Sequence, residues 1–261
     1  MTPILLLGAG HMGGALVAGW RRAGAVSAQD LMVRDPAPGP QAIASGALID
    51  PSPADMARAS TVVLAVKPQI WREAAAAVSP HLAPDAIVVS IAAGVASADI
   101  AAAFGGRRVA RVMPTTAAAI GQGAASVYAD DAEARVRARA LFEPVGTVVD
   151  LDDEDLLHAA TAVSGSAPAY LYAFVEALEA AGVSLGLSSE AARDLARATT
   201  AGAAALMTES GADAADLRRQ VTSPAGTTEA ALKVLMGDEG LGPLLKGAAA
   251  AAAQRSRELG K

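Results

Sequence analysis

A glycine-rich turn that directly follows a short apolar run constrains the fold more than any other feature of the sequence. Ile4–Leu7 is a strand-length apolar run, and the chain continues as GAGHMG over residues 8–13 into a stretch with helical spacing. The pattern G-x-G-x-x-G between a strand and a helix is typical of βαβ units that bind dinucleotides. In such a unit the first glycine permits a tight turn, the second lets a pyrophosphate approach the backbone, and the third allows close packing of the helix. The predicted phosphate-binding turn comprises Gly8, Ala9, Gly10, His11, Met12 and Gly13.

The first half of the chain alternates apolar runs with alanine-rich segments of helix length. Continuous runs of Val, Ile and Leu indicate strands that are buried on both faces of a sheet. Strands that alternate with helices predict a doubly wound parallel sheet, so we predict an α/β fold with a Rossmann-type domain over residues 1–155. The predicted strands are Ile4–Leu7, Leu31–Val33, Thr61–Val66, Ile87–Ile91, Val109–Val112 and Val145–Val149. The predicted helices between them are Met12–Ala23, Ala54–Ala59, Arg72–Val78, Ser97–Phe104 and Asp131–Phe142.

Helical patterns replace the strand-like runs after about Asp152 and predict an all-α domain over residues 156–261. Glycines near several of the predicted helix ends match the preference for glycine just after a helix. The segment YLYAFV at residues 170–175 is apolar on more than one helix face. That pattern predicts a homo-oligomer, at least a dimer, built through the helical domain. The predicted helices are Asp152–Ala162, Tyr170–Leu185, Ser189–Ser210, Asp213–Gln220, Thr227–Met236 and Gly240–Gly260.

Composition excludes several classes of function. The 261 residues include no Cys and only 3 His, which rules out disulfides and thiolate metal sites and leads us to expect no metal. A net charge of −6 and 3% aromatic residues argue against a nucleic-acid partner. Residues 156–175 lack acids, Lys and Arg, but they carry Ser-Gly-Ser and Pro in their middle, and the chain opens without a basic leader. We therefore expect no membrane span and a cytoplasmic location.

Two charged residues at the end of the second predicted strand bear on which dinucleotide binds. An acid about 20 residues past the glycines favours the ribose 2′-hydroxyl of NAD, whereas an arginine favours the 2′-phosphate of NADP. Here Arg34 and Asp35 stand side by side, and adjacent residues of an extended strand point in opposite directions. The spacing by itself leaves both coenzymes open.

Two further strand ends are candidates for the ligand crevice, because ligands of such sheets bind at the carboxyl ends of strands. AVKP at residues 65–68 follows one strand, where Lys67 could contact the coenzyme or a substrate carboxylate, or lie solvated in a turn set by Pro68. IAAG at residues 91–94 follows the next strand, and its small residues leave room for a nicotinamide or simply permit tight packing.

Two hydroxyl-rich loops interrupt the helical half. SGSAPAY at residues 164–170 and VTSPAGTT at residues 221–228 each open a predicted helix. Hydroxyls and backbone N–H groups at a helix start form a neutral cradle for a carboxylate, and the alternative is plain N-capping by Ser and Thr. His158, six residues before the first loop, is a weaker candidate as a proton donor, since a single His is more often structural.

Seven segments, in order along almost the whole chain, resemble motifs of the pyrroline-5-carboxylate reductase family. The resemblance implies a Rossmann domain followed by a helical dimerisation domain whose helices interleave between subunits. It also implies reduction of 1-pyrroline-5-carboxylate to L-proline, the last step of proline biosynthesis, by hydride transfer from NAD(P)H, with NADPH preferred and NADH usable. The matching segments are GAGHMGGAL from Gly8, AVKPQ from Ala65, SIAAGV from Ser90, RVMP from Arg111, SGSAPAY from Ser164, EAL from Glu176 and VTSPAGTT from Val221.

The resemblance also assigns roles to individual residues. It places the coenzyme over the glycine-rich turn and the substrate carboxylate on Ser223 and on backbone N–H groups around Gly226 and Thr227. The hydroxyl of Thr228 is implied to bond the ring nitrogen of the substrate, which makes Thr228 the implied catalytic residue and a substrate contact. The implied coenzyme contacts beyond the turn are Arg34, Asp35 and Ser52 toward the ribose, Ala65 and Val66 behind the strand, and Lys67, Pro68, Ala92 and Ala93 toward the nicotinamide.

Three segments depart from the family pattern. Thr115 and Ala117 stand where the family usually has Asn and Pro. Ala167 stands where Ser or Gly is frequent, and Ala225 replaces a Gly, so that its methyl group disfavours a positive φ in the loop. These departures keep two alternatives open. One is a related NAD(P)-dependent reductase of another cyclic imine or keto acid, and the other is a cofactor-binding regulator with weakened catalysis.

Overall fold

The computed structural model describes residues 1–259, which form two compact units. The first unit comprises Met1–Gly165 together with the segment from Ala250 onward, and the second comprises Ser166–Ala249. The predicted functional domains, residues 1–155 and 156–261, have other boundaries than these two compact units, and that division stays a prediction. The predicted end of the last helix, Gly260, lies outside the described residues.

One eight-stranded sheet forms the centre of the first unit. Its strands are β1 Ile4–Leu7, β2 Leu31–Arg34, β3 Leu48–Ile49, β4 Thr61–Leu64, β5 Ile87–Ser90, β6 Val109–Pro114, β7 Gly123–Tyr128 and β8 Gly146–Asp150. They lie in the order β3-β2-β1-β4-β5-β6-β7-β8. Neighbours from β3 to β6 are parallel, β7 runs antiparallel to β6, and β8 is parallel to β7. The predicted doubly wound α/β class is confirmed.

Strands β3 and β7 were absent from the prediction. β3 has only two residues, and β7, with the sequence GAASVY, lacks the run of large apolar residues that marked the other strands. The chain joins β6 to β7 through a short 3₁₀ turn at Thr116–Ile120. A parallel pair needs a crossover of a dozen or more residues, so this short connection makes β7 antiparallel and the sheet mixed.

Helices cover both faces of the sheet. They are α1 His11–Ala23, α2 Pro40–Ile43, α3 Pro53–Met56, α4 Trp71–Val78, α5 Ser97–Ala103, α6 Ala132–Phe142 and α7 Leu156–Ala160. One apolar cluster contains Leu6 with Trp20 and Phe142, and the other contains Leu5 with Phe104. Successive residues of a strand point to opposite faces, so two covered faces require the uninterrupted apolar runs seen in the sequence.

The strand order reverses beside β1, and this reversal creates the ligand crevice of the fold. From β1 the chain moves outward to β2 and β3, then returns to pair β4 with the other edge of β1 and continues to β5 and β6. The register pairs Leu7 with both Arg34 and Leu64, so the carboxyl ends of three strands are level. Open sheets of this kind bind ligands at such a switch point, beyond the carboxyl ends of the strands.

The predicted helix Asp152–Ala162 starts later than expected. The Asp153 carboxylate accepts the backbone N–H of Asp155 at 2.9 Å, a local turn that competes with helix formation. α7 therefore begins only at Leu156, and it is followed by a π-helical turn at Thr161–Gly165.

The second unit is helical and buries very little of its own apolar surface. Its helices are α8 Ala167–Ser184, α9 Ser189–Ser210, α10 Ala214–Gln220, α11 Thr227–Leu235 and α12 Leu241–Leu259, the last of which continues into the first unit. Within Ser166–Ala249 only Ala192 and Ala196 are buried. Exposed large apolar side chains on α8 and α9 include Leu171, Tyr172, Phe174, Leu178, Leu195, Leu206 and Met207.

Neither a membrane helix nor a metal cluster is present in residues 1–259. None of their helices combines the length and the apolar character that crossing a bilayer requires. No group of three or more His, Cys, Asp or Glu side chains in this part of the chain is placed to hold a metal ion.

Candidate active site

The glycine-rich turn has two glycines that the fold requires and one that leaves space. Gly8 has φ +91°, and a Cβ on it would lie 2.8 Å from the Ala65 carbonyl oxygen. A Cβ on Gly13 would lie 2.1 Å from the Gly8 carbonyl oxygen. A Cβ on Gly10 would meet no atom within 4 Å. Gly10 therefore fits a turn that keeps its backbone accessible to a ligand.

The start of α1 is well suited to bind an anion. Gly10 is its N-cap residue, and no side chain caps the helix there. The first N–H groups of a helix lack partners within the helix, and its N-terminus carries partial positive charge. A dinucleotide pyrophosphate fits this uncapped, glycine-lined end.

Asp35 binds the glycine-rich turn itself. Its carboxylate accepts the backbone N–H of Ala9 at 2.6 Å and that of Ala37 at 2.8 Å. The Gly8 N–H donates to the Arg34 carbonyl at 3.0 Å, so the end of β2 and the turn are joined by backbone and side-chain bonds together. The acid that the spacing rule assigns to the ribose is thus engaged by two N–H groups.

Arg34 lines a cavity of 230 Å³. Its guanidinium pairs with the Asp50 carboxylate at 3.3 Å. Asp50 has a left-handed backbone, with φ +51°, and its side chain is 80% exposed. An ion pair between such exposed groups is weak, so the guanidinium is available to a stronger anion in the cavity.

The same cavity contains residues that sequence reasoning did not single out. After the Lys67–Pro68 loop, α4 contributes Glu73, Ala74 and Ala77 to the lining, and the only sequence signal for them is their position shortly after that loop. The cavity is lined by Leu7, Arg34, Pro36, Val66, Ile70, Glu73, Ala74 and Ala77. Its apolar walls and single carboxylate suit a flat heterocycle with an amino group.

Ser52 caps a short helix. Its hydroxyl donates to the Asp55 carboxylate at 2.6 Å and accepts the Asp55 N–H at 3.3 Å, at the start of α3. The Ser52 hydroxyl and N–H lower the pKa of Asp55 below its usual value. The Ser52 hydroxyl could give up one of these two bonds to a coenzyme, but in this structure it caps α3.

The loops behind β4 and β5 lie at the same edge of the sheet as the glycine-rich turn. Ala65 donates its N–H to the Leu7 carbonyl at 2.8 Å, which holds the first loop against β1. Val66 and Pro68 are half-buried, and Lys67 is exposed, without an ion-pair partner among residues 1–259. In the second loop Ala92 is buried and donates its N–H to the Ser90 hydroxyl at 3.2 Å, while Ala93 is half-buried.

A partly buried ion pair holds the far end of the second loop. Glu154 accepts the Arg111 guanidinium at 2.8 Å and the Ser97 N–H at 2.6 Å, and it also accepts the Ser97 hydroxyl at 3.0 Å. The Arg111 side chain is only 6% exposed. These contacts of Glu154 were not predicted, because Arg111 and Ser97 lie more than 40 residues from it in the sequence and only the fold brings them together.

Thr115, the first departure from the family pattern, has a structural role. Its N–H donates to the Ala124 carbonyl at 2.9 Å, and its hydroxyl accepts the Ala124 N–H at 3.0 Å. The side chain therefore extends the pairing between β6 and β7.

The VTSPAGTT loop of the second unit forms a tight turn before α11. Ala225 has φ +58°, so the left-handed backbone persists here in spite of the methyl group. The Gly226 N–H donates to the Ser223 carbonyl at 3.0 Å, and a Cβ on Gly226 would lie 3.0 Å from that oxygen. The Ala225 N–H donates to the Glu229 carboxylate at 2.6 Å.

Thr227 and Thr228 begin α11, where the first N–H groups have no helical partner. Ser223 and Thr227 are exposed and Thr228 is half-buried. The Thr228 hydroxyl has no hydrogen-bond partner among the described residues. The end of the turn therefore presents hydroxyls and N–H groups that a carboxylate and a neighbouring polar atom could occupy.

His158 is a structural residue. Its Nδ1 lies 2.9 Å from the Ser256 hydroxyl, which is buried on the C-terminal segment of the first unit. Burial and the Arg111 guanidinium lower the pKa of His158 below its usual value of 6.5.

Two family models match the chain, one in each half. The model described as pyrroline-5-carboxylate reductase dimerisation matches residues 154–259. The model described as NADP oxidoreductase, coenzyme F420-dependent, matches residues 3–94.

Three proteins that match this chain along almost its whole length are pyrroline carboxylate reductases by name. A pyrroline-5-carboxylate reductase of Pseudomonas aeruginosa is 41% identical over 267 residues, which cover 99% of this chain and 97% of that protein. The structure of such a reductase from Coxiella burnetii matches with a TM-score of 0.90 at 31% identity, covering 100% of this chain and 99% of that one. A Plasmodium falciparum pyrroline carboxylate reductase, solved with NADP bound, matches with a TM-score of 0.86 at 25% identity, covering 100% and 98% of the two chains. By sequence and by fold, this chain belongs to the pyrroline-5-carboxylate reductase family.

Proposed function

We infer that the chain is an NAD(P)H-dependent oxidoreductase that reduces 1-pyrroline-5-carboxylate to L-proline. The observation that carries this conclusion is the full-length similarity to a reductase of that name, at 41% identity. The uncapped, open turn at Gly10 and the hydroxyl-rich start of α11 provide the two kinds of binding group that the reaction needs.

The coenzyme part of the proposal rests on the first unit. The pyrophosphate binds at the glycine-rich turn and the N-terminus of α1, and the adenosine end occupies the 230 Å³ cavity that Arg34 lines. Ala65, Val66, Lys67, Pro68, Ala92 and Ala93 serve the nicotinamide end. Ser52 serves the ribose end from the neighbouring loop.

NADPH is the preferred coenzyme in this proposal. Arg34 is half-exposed in the cavity and its partner Asp50 is solvated, so the guanidinium can pair with a 2′-phosphate. The Asp35 carboxylate, which would repel that phosphate, is bound to the N–H groups of Ala9 and Ala37. NADH remains usable, because the turn itself does not depend on the 2′-substituent.

The substrate part of the proposal rests on the second unit. Ser223 and the N–H groups of Thr227 and Thr228 hold the carboxylate. The N–H of Gly226 already donates to the Ser223 carbonyl, so Gly226 helps by leaving space for the carboxylate, because it has no side chain. The Thr228 hydroxyl accepts a hydrogen bond from the protonated ring nitrogen. These groups orient the ring and carry no net charge of their own.

The chemistry requires little proton transfer from the protein. The chemistry that NAD(P)H would supply here is a hydride for the carbon of the C=N bond, and the π electron pair of that bond would pass to the protonated ring nitrogen. The chain's residues then act by binding and orienting the ring rather than by acid–base catalysis. This agrees with the structural role of His158, whose lowered pKa and bond to Ser256 tie it to the fold.

The proposal includes a homo-oligomer, at least a dimer, and a cytoplasmic location. The second unit buries only two alanines in the single chain and leaves α8 without a buried residue. A second copy of this chain would cover those apolar faces.

A coupled assay tests the activity directly. Purified protein should oxidise NADPH in the presence of 1-pyrroline-5-carboxylate and release proline, identified by mass spectrometry. Keto acids and other cyclic imines, tested in parallel, should support much slower oxidation. A faster rate with another substrate would replace the proposed one, and coenzyme binding without turnover on any substrate would indicate a regulator instead.

A further inference from the structure

The left-handed residue in the substrate loop has an unusual partner. Ala225 is one of two non-glycine residues with positive φ among residues 1–259, and a side-chain methyl disfavours that conformation. Its N–H donates to Glu229 Oε2 at 2.6 Å. Glu229 lies four residues later, in the first turn of α11, directly after Thr228.

We propose that Glu229 is a positioning residue that holds the Ala225 turn in its left-handed form and thereby sets where Thr227 and Thr228 meet the substrate. The proposal rests on the proposed function of this loop. The bond from Ala225 to Glu229 closes a ring of five residues that contains Gly226, Thr227 and Thr228. If the ring opens, Ala225 relaxes to negative φ, and the first N–H groups of α11 change direction.

The position of Glu229 lets it do this without strongly repelling a substrate carboxylate. Its Oε2 is occupied by the Ala225 N–H, and its Oε1 lies 3.8 Å from Lys233 Nζ. A carboxylate in the first turn of a helix is also stabilised by the partial positive charge of the helix N-terminus. The length of the Glu229 side chain, which brings an acceptor oxygen to the Ala225 N–H, therefore matters more here than its negative charge.

Two single substitutions separate reach from charge. Glu229→Gln keeps an acceptor oxygen at the same distance and removes the charge, whereas Glu229→Asp keeps the charge and withdraws the acceptor by one methylene. We expect Glu229→Asp to raise the KM for 1-pyrroline-5-carboxylate about tenfold, the loss of one charge-assisted hydrogen bond. We expect Glu229→Gln to stay within about twofold of wild type, since a neutral acceptor still bonds the N–H.

Three further measurements make the role specific. The KM for NADPH should stay unchanged in both variants, because the coenzyme groups lie in the first unit. Adding Ala225→Gly to Glu229→Asp should restore most of the substrate KM, since glycine holds the left-handed form without a clamp. Lys233→Met, which removes only the partner of Oε1, should leave the KM values near wild type.

Several results would overturn the positioning role. They are an unchanged substrate KM in Glu229→Asp, equal losses in Glu229→Asp and Glu229→Gln, a parallel rise in the KM for NADPH, or no rescue by Ala225→Gly. A wild-type enzyme that is inactive on 1-pyrroline-5-carboxylate would instead refute the proposed function, and the positioning role with it. Should Glu229→Asp fold poorly, the double variant and Glu229→Gln still decide between the outcomes, because the proposal requires both to keep the substrate KM low.

Discussion

The Asp35 carboxylate accepts the backbone N–H of Ala9 at 2.6 Å, so the acid at the end of β2 stabilises the glycine-rich turn. A second bond, from the Ala37 N–H at 2.8 Å, holds the chain on the other side of Asp35. From the sequence alone, removing this acid is expected to improve the use of NADPH, because it removes a charge near the 2′-phosphate. The two N–H bonds lead to the opposite expectation.

Asp35→Ala should weaken the binding of NADPH and of NADH to a similar degree. Loss of two carboxylate bonds to the backbone loosens the turn that binds the pyrophosphate, so we expect each KM to rise about tenfold. Steady-state kinetics with NADPH and with NADH measure the effect. Asp35→Asn, which keeps one acceptor oxygen, serves as the control and should lose less. A lower KM for NADPH in Asp35→Ala would restore the expectation from sequence.

Arg34→Ala should raise the KM for NADPH and leave the KM for NADH almost unchanged. A guanidinium that pairs a phosphate contributes about 1.5–3 kcal/mol, which corresponds to a KM for NADPH roughly tenfold to a hundredfold higher. Arg58→Ala is a matched control, because that arginine is exposed and outside the 230 Å³ cavity. Equal effects on the two coenzymes, or none, would show that Arg34 does not contact the 2′-phosphate.

Thr228→Ala should lower turnover far more than stability. Its hydroxyl has no partner among residues 1–259, so the folded protein loses no internal hydrogen bond. Loss of the bond to the ring nitrogen should cost about 1–3 kcal/mol of transition-state binding, seen in kcat/KM. Thr228→Ser keeps the hydroxyl and should retain most activity. A folded Thr228→Ala enzyme with wild-type kcat/KM would end the assignment.

Charge placed on the apolar face of α8 should break the oligomer. Tyr172 is 69% exposed in the single chain and lines a 680 Å³ groove between α8 and α9. Tyr172→Glu should shift the protein to monomers and lower its melting temperature, since an uncovered charge opposes burial of that face. Val136→Glu, on the exposed face of α6, should change neither property. Light scattering measures the mass, and a stable wild-type monomer at micromolar concentration would contradict the prediction.

Stability should fall in mild acid because of His158. Burial first, and the Arg111 guanidinium second, lower the pKa of His158 below 6.5, while Asp155 opposes this shift. The unfolded chain therefore binds a proton at a higher pH than the folded one, and stability present above pH 6.5 is lost as pH falls toward the lowered pKa. Each kcal/mol lost should lower Tm by about 2–4 °C.

His158→Gln tests this pH dependence. Gln cannot take up a proton, so the variant should lose less Tm than wild type between neutral pH and pH 5, although it starts lower through altered contact with Ser256. His81→Gln, an exposed position, is the control. Identical pH slopes in wild type and His158→Gln would assign the acid sensitivity to other groups.

Most elements of the fold were predictable because their signals are local. Helix α9 was predicted with its observed bounds, Ser189–Ser210, and β1 likewise at Ile4–Leu7. Strand β7 escaped prediction because its pairing with β6, not its own composition, makes it a strand. The later start of α7 depends on one side-chain bond at Asp153 that a periodic pattern does not reveal.

The sequence by itself determined the glycine-rich turn, the alternation of strands and helices, and the family motifs, since each depends on spacing along the chain. Only the tertiary structure decided that Arg34 pairs with Asp50 while Asp35 accepts the Ala9 N–H. It also decided that Glu154 bonds Arg111 and Ser97, and that Glu229 accepts the Ala225 N–H. The physical reason is that a hydrogen bond is made or lost over a few tenths of an ångström. Such distances are set by packing among residues far apart in sequence, and residue spacing does not record them.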